Sequence, residues 1–165
     1  MIIRVGILSD THLVRPDSRF KKQVRHCFQG CDMIIHAGDL TNPSILEVFL
    51  GIQIVAVHGN MCGEPVRTRY PARQLFALGR FTIGLTHGAD LGPDIENALF
   101  DIFPEADCMI YGHTPRPSIQ YYGDILMLNP GSFQATSRYG TPGTYAILEA
   151  GEQLSASIHE IPSLL

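Results

Sequence analysis

No apolar run in this sequence approaches the roughly 18–20 residues that a bilayer-spanning helix needs, so nothing in it predicts a membrane protein. Cysteine is scarce. Cys27, Cys31, Cys62 and Cys108 form no CxxC pair, which argues against a disulfide scaffold. Cys27 and Cys31 stand four apart at the end of a predicted helix, but no second Cys/His pair lies nearby to complete a zinc site. Reduced structural thiols are the expectation. Positive charge is not in excess either: 12 Lys and Arg against 16 Asp and Glu leave a net charge of −4, with no basic footprint for nucleic acid or anionic lipid. Bound metal ions would offset part of that charge, so acidity does not exclude a phosphate substrate. The segment MIIRVGILSD lacks the charged, apolar and small-residue regions of a signal peptide, and the cytoplasm is the expected address. Repeats, low-complexity tracts and linkers are absent, and 165 residues that are 45% hydrophobic and 17% charged are expected to form one domain over 1–165.

What is present begins with short apolar runs. Residues 2–8, 32–36 and 52–57 read as buried strands, the near-continuous kind that a parallel sheet covered on both faces requires. Between the first two, 17–29 places Phe20, Val24, Cys27 and Phe28 on one helical face, and Gly30 stops the helix. Asn42-Pro43 starts a second helix through Leu50. In the second half, 74–78 and 81–86 read as a strand pair around Gly79-Arg80, and a helix is predicted over 93–102. Further strands are predicted at 107–111, 125–128, 143–149 and 153–159. The pattern is an α/β core closing in an antiparallel section.

The polar residues fall at particular places in that pattern. Asp10 and His12 follow the first strand, Asp39 the second and Asn60 the third; His87 follows 81–86 and His113 follows 107–111. Each lies just past the C-terminal end of a strand, the edge where open α/β sheets bind ligands. Taken singly such residues are weak signals, since an Asp after a strand more often caps a helix or forms a turn. The ordered series DxH, GD, GN, HG, GH is much harder to obtain by chance. Carboxylate, imidazole and amide oxygen suit Mn, Fe, Zn, Ni or Mg, and no thiolate belongs to the set. Two such ions could bridge phosphate oxygens and activate a shared water, with a carboxylate such as Asp39 between them.

The motifs SDTH (9–12), HAGDL (36–40), HGN (58–60), THG (86–88), YGHT (111–114) and NPGS (129–132) resemble the calcineurin-like metallophosphoesterase family, and within it the small YfcE-like phosphodiesterase branch. The resemblance covers most of the chain. It implies a four-layer αββα sandwich of two mixed sheets and a binuclear centre, commonly filled by Mn²⁺, with Ni²⁺, Zn²⁺, Fe or Mg²⁺ as alternatives. By the same resemblance Asp10 and His12 hold the first ion, Asp39 bridges, and Asn60, His87 and His113 hold the second. The implied activity is hydrolysis of a small phosphoester, a phosphodiester above all, by water activated at the two metals.

Three positions depart from the family pattern. Its last motif is usually GHxH, but here Gly112-His113-Thr114 is followed by Pro115, which offers no ligand and leaves the first ion weakly held. His36 and His58 are the free histidines nearest in sequence; both end buried strands, and satisfying backbone groups is the better expectation for them. Met61 follows Asn60 where many relatives carry a histidine that protonates the leaving group, so no general acid is evident and good leaving groups should suffer least. Ala89-Asp90 follows His87-Gly88, with Asp90 expected to cap the next helix or to orient a ligand. Softer candidates are the hydroxyls of Thr11, Thr114 and Ser132, the phosphate-binding arginines Arg15, Arg116 and Arg138, and a rim of Tyr121 and Tyr122. The apolar Leu164-Leu165 end is a candidate contact between copies. The incomplete first site keeps a second reading open, a binding scaffold on this fold such as the retromer scaffold subunit of the same family.

Overall fold

The structure is a computed structural model that describes residues 1–135 and 142–163. Arg138 and the Leu164-Leu165 end lie outside the described residues. Strand β1 (Ile3–Leu8) leads to helix α1 (Ser18–Cys27), whose N-cap Asp17 accepts from the Phe20 amide at 2.7 Å. After β2 (Met33–His36) comes a short helix, Pro43–Phe49, entered through Asn42 and Pro43 as expected. It is a 3-10 helix, not an α-helix. Strand β3 (Gln53–Ala56) is followed by helix α2 (Glu64–Arg69), which the sequence reading passed over. Its signal was there in Pro65 and the acidic Glu64 in the first turn.

Strands β4 (Arg73–Leu78) and β5 (Phe81–Thr86) form the expected hairpin, with Gly79 at φ 61° in its turn. Helix α3 (Ile95–Ile102) follows, then β6 (Cys108–Ile110), β7 (Ser118–Tyr122), β8 (Ile125–Asn129), β9 (Thr144–Ala150) and β10 (Leu154–Glu160). Strand β7 was not anticipated. SIQYY lacks clean apolar alternation because it is an edge strand, exposed from Gln120 to Tyr122 and paired only with β8.

Two five-stranded mixed sheets result, ordered β10-β9-β1-β2-β3 and β4-β5-β6-β8-β7. β1, β2 and β3 run parallel in one, and β5, β6 and β8 run parallel in the other. Their facing surfaces share a core of Val5, Ile7, Ile35, Ile83, Ile110 and Leu128. The outer face of the first sheet packs on α1 and the 3-10 helix through Phe20, Phe28, Ile34 and Phe49. The outer face of the second packs on α3 through Leu99, Phe103, Met109 and Met127. The four-layer αββα arrangement is therefore as expected, and each large aliphatic residue fully buried in it contributes about 1.5–3 kcal/mol. All four cysteines are buried free thiols, as the sequence suggested. Among the described residues no helix is long and apolar enough to cross a membrane.

Candidate metal centre

The parallel strands of both sheets end at one edge of the sandwich, and the loops leaving them are laced together there. The Asp10 amide donates to Gly38 O at 2.9 Å, the Gly112 amide to His87 O at 3.1 Å, and the Phe133 amide to Ser9 O at 2.9 Å. The Asn129 carboxamide donates to Thr114 Oγ1 at 2.7 Å and accepts from the Gly131 amide at 2.8 Å, which ties the YGHT loop to the NPGS turn. Gly112 is required here by space. A Cβ at that position would overlap Ser9 Oγ and lie 2.9 Å from Ala37 O.

Backbone strain marks the same residues. Among the described residues the only non-glycine positions with positive φ are Asp10 (56°), His12 (45°), Asp39 (57°) and His113 (66°). Each costs on the order of 1 kcal/mol or more against a relaxed backbone, and such conformations persist where the fold over-determines a functional geometry. All four belong to the set of six expected from sequence.

Two groups of side chains converge. In the first, single ligand atoms of Asp10, His12 and Asp39 lie within 4.8 Å of one another. Asp10 and Asp39 are buried, and His12 Nε2 stands 3.5 Å from Asp10 Oδ1. Ser9 Oγ donates to Asp10 Oδ2 at 2.5 Å and fixes the carboxylate's rotation. The neighbouring Asp10 carboxylate raises the His12 pKa, more strongly than partial burial lowers it. In the second group, His87 Nδ1 donates to Ala37 O at 2.8 Å. Its Nε2 lies 3.2 Å from Asp39 Oδ2 and 3.1 Å from Asn60 Oδ1. The other oxygen of Asp39 accepts from the Met61 amide at 2.8 Å. Asp39 belongs to both groups. His113 sits edge-on to His87, ring centroids 5.4 Å apart, and also lines a 280 Å³ cavity with Asp10, His12 and Pro115. The structure thus brings all six expected residues to one place.

The donor chemistry fits a metal ion. With its Nδ1 hydrogen given to a carbonyl, His87 in its neutral form points a lone pair at two oxygen atoms, one of them on a carboxylate. Three lone pairs facing one another call for a proton or a metal ion among them. Burial works against the charged His87 ring, but the Asp39 and Asp10 carboxylates outweigh it and hold its pKa above the ordinary value. Burial likewise works against the Asp39 carboxylate, and contact with His87 and the Met61 amide holds its pKa below the usual range.

Other expected residues sort differently. His36 is fully buried, with Nδ1 accepting from the Gly38 amide and Nε2 donating to Thr11 Oγ1, both at 3.2 Å; burial pushes its pKa down to about 3. It shapes the Asp39 turn as a neutral ring, the structural role expected of it. His58 Nδ1 is buried with no hydrogen-bond partner among the described residues, so it does not satisfy a backbone group through that atom. Asp90 does not cap α3; Asp94 does, accepting from the Asn97 amide at 3.2 Å, while Asp90 pairs with Arg73 at 2.7 Å. Tyr122 does not rim the centre. Its hydroxyl and that of Tyr111 each donate to the Glu96 carboxylate at 2.7 Å and pin α3 to its sheet. Arg15 and Arg116 stand exposed. Residues the sequence reading missed are Ser9, Gln134 beside Pro115, and Arg67, whose Nη2 donates to Asn60 O at 3.1 Å.

Fold and motif order together place the chain in the metallophosphoesterase class of folds. The chain belongs to the calcineurin-like phosphoesterase superfamily, whose domain model matches residues 3–153. It is 34% identical over 157 residues to a probable metallophosphoesterase of Methanothermobacter thermautotrophicus, a match spanning 93% of this chain and 90% of that one. It is also 31% identical over 102 residues to the phosphodiesterase YfcE of Escherichia coli, spanning 59% of this chain and 53% of the relative. Among solved structures, Vps29 of Entamoeba histolytica complexed with Zn²⁺ superposes with a TM-score of 0.71 at 18% identity, covering 96% of this chain and 99% of that one. At that identity the likeness is one of fold.

Proposed function

We propose that this protein is a cytoplasmic, divalent-metal-dependent phosphodiesterase acting on a small phosphoester. The observation that carries the reading is the convergence of Asp10, His12, Asn60, His87 and His113 at the edge of the sandwich that holds the buried Asp39 carboxylate, four of the six residues in strained backbone conformations. Asp10 and His12 would hold one ion, Asn60, His87 and His113 a second, and Asp39 would bridge; Mn²⁺ suits these oxygen and imidazole donors. Bound divalent ions supply Lewis acidity toward the phosphoryl oxygens and an activated water as nucleophile.

The chain's own residues do the positioning. Ser9 orients Asp10, the Ala37 carbonyl fixes His87 in the tautomer that offers Nε2, and the Met61 amide holds Asp39 in place. The Met61 side chain is exposed and has no proton to give a departing alkoxide, so esters of acidic alcohols should react fastest. Bis-p-nitrophenyl phosphate assayed with Mn²⁺ tests this reading. Turnover that Mn²⁺ supports and EDTA abolishes is expected, and none by the metal-loaded chain would refute it.

A second reading, a binding scaffold of weak metal affinity, is favoured by one feature. Pro115 lines the cavity beside Asp10 and His12 where a further imidazole would complete the first site. Retention of the other ligands in strained geometry favours the enzyme, because those conformations cost stability that a scaffold gains nothing by keeping.

A further inference from the structure

A cavity of 250 Å³ adjoins the Asn60 and His87 half of the centre, bounded by His58, Asn60, Arg67, Thr86, His87 and Asp90 among others. Two arginines are near it, in different electrostatic states. Arg73 donates through Nη2 to the Asp90 carboxylate at 2.7 Å, so its charge is paired. Arg67 makes no carboxylate contact among the described residues. Its Nε donates to Cys62 O at 3.0 Å and its Nη2 to Asn60 O at 3.1 Å.

Those two bonds have consequences for an anionic ligand. They orient the guanidinium against the loop that carries Asn60, so little side-chain freedom remains to be lost when a ligand arrives. They use two of its five N–H groups on neutral carbonyls, which leaves three donors and the full charge unspent. A phosphoester must approach the buried carboxylates Asp10 and Asp39 in a chain of net charge −4, where an unpaired cation on the cavity wall lowers the electrostatic cost. Planar guanidinium groups bind phosphate oxygens through paired, charge-assisted hydrogen bonds.

We propose that Arg67 is the anion-binding side chain of this centre, its free N–H groups taking a non-bridging phosphoryl oxygen in the cavity beside Asn60 and His87. The assignment rests on the phosphoesterase reading above. Arg67 sits on α2, outside the metal-binding series.

Inorganic phosphate is the probe. Its affinity for the Mn²⁺-loaded full chain is measured by titration calorimetry in the native protein, Arg67→Ala and Arg67→Lys, with manganese content of each measured by elemental analysis. Arg67→Ala should weaken phosphate binding by about tenfold to a hundredfold at unchanged manganese content, with Arg67→Lys in between because a point charge replaces the fork. Native phosphate affinity in Arg67→Ala removes the assignment and leaves the phosphoesterase reading standing. Weakening that merely parallels manganese loss also removes it, since Arg67 would then only brace the Asn60 loop. A native chain that binds neither manganese nor phosphate overturns both.

Discussion

His87 directs Nε2 at Asp39 Oδ2 across 3.2 Å while its Nδ1 is held by the Ala37 carbonyl at 2.8 Å. A carbonyl only accepts, so Nδ1 carries hydrogen, and Nε2 meets the carboxylate with either a proton or a metal ion between them. The two occupants exclude each other.

That competition sets a pH dependence. In the metal-free chain the His87 pKa is raised above its ordinary value of 6.5, so the His87–Asp39 ion pair is complete below 6.5 and is lost as pH rises through the raised value. Asp39, with its pKa lowered, keeps its charge through that range. Manganese must displace the His87 proton, and its apparent affinity should therefore rise with pH by up to about tenfold per unit until that proton is gone. Calorimetric titrations at pH 6 and pH 8 check this; equal affinities would mean that manganese displaces no proton from His87.

Gly59 makes room for the shared carboxylate. A Cβ there would overlap Asp39 Oδ1 and lie 2.7 Å from both Asp39 N and His87 Cδ2. Gly59→Ala should cost about 1–3 kcal/mol of stability as buried atoms shift, and should lower manganese affinity at least about tenfold. Thermal unfolding with and without Mn²⁺ separates the two effects, and a variant with native metal affinity contradicts the tight packing described.

Pro115 lines the cavity that holds Asp10 and His12. Pro115→His should strengthen binding of the more weakly held ion at least about tenfold, the scale seen even for residues that only orient ligands. Manganese content after dialysis at limiting metal is the measurement. Unchanged content would mean that Pro115 is not the cause of a weak first site.

His36 governs acid stability by a different route. Buried and neutral, it resists protonation until about pH 3, whereas the unfolded chain takes a proton near 6.5. The unfolded state binds the extra proton, so stability falls as pH drops below 6.5, by roughly 2 kcal/mol at pH 5. Denaturant midpoints of the metal-free protein should show this fall, and His36→Gln should flatten it. An equally steep fall in the variant would place the acid sensitivity elsewhere.

The legibility of this fold in its sequence was uneven for physical reasons. Asp10, Asp39 and His87 could be found because each follows a buried apolar strand, and a parallel sheet delivers such positions to one edge whatever the loops between them do. Strand β7 could not, because an edge strand half open to solvent has no need of an apolar pattern. The partner of Asp90 is Arg73, 17 residues away on β4, so a choice between helix cap and ligand orienter made from local sequence missed this ion pair between turn and strand. Arg67 carries no local signal of its use, which exists only because α2 returns its side chain to the Asn60 carbonyl.

Asp39 is the residue on which the two-metal account depends, and its amide variant is nearly isosteric. Manganese stoichiometry of native protein and Asp39→Asn, measured by elemental analysis after equilibration with Mn²⁺, is the most direct test. The native chain, equilibrated with excess Mn²⁺, should hold about two ions, and the variant should bind both more weakly, because a carboxylate shared between two cations cannot be replaced by a neutral carboxamide. A variant that binds both ions as tightly as the native chain, or a native chain that binds none, would contradict the account.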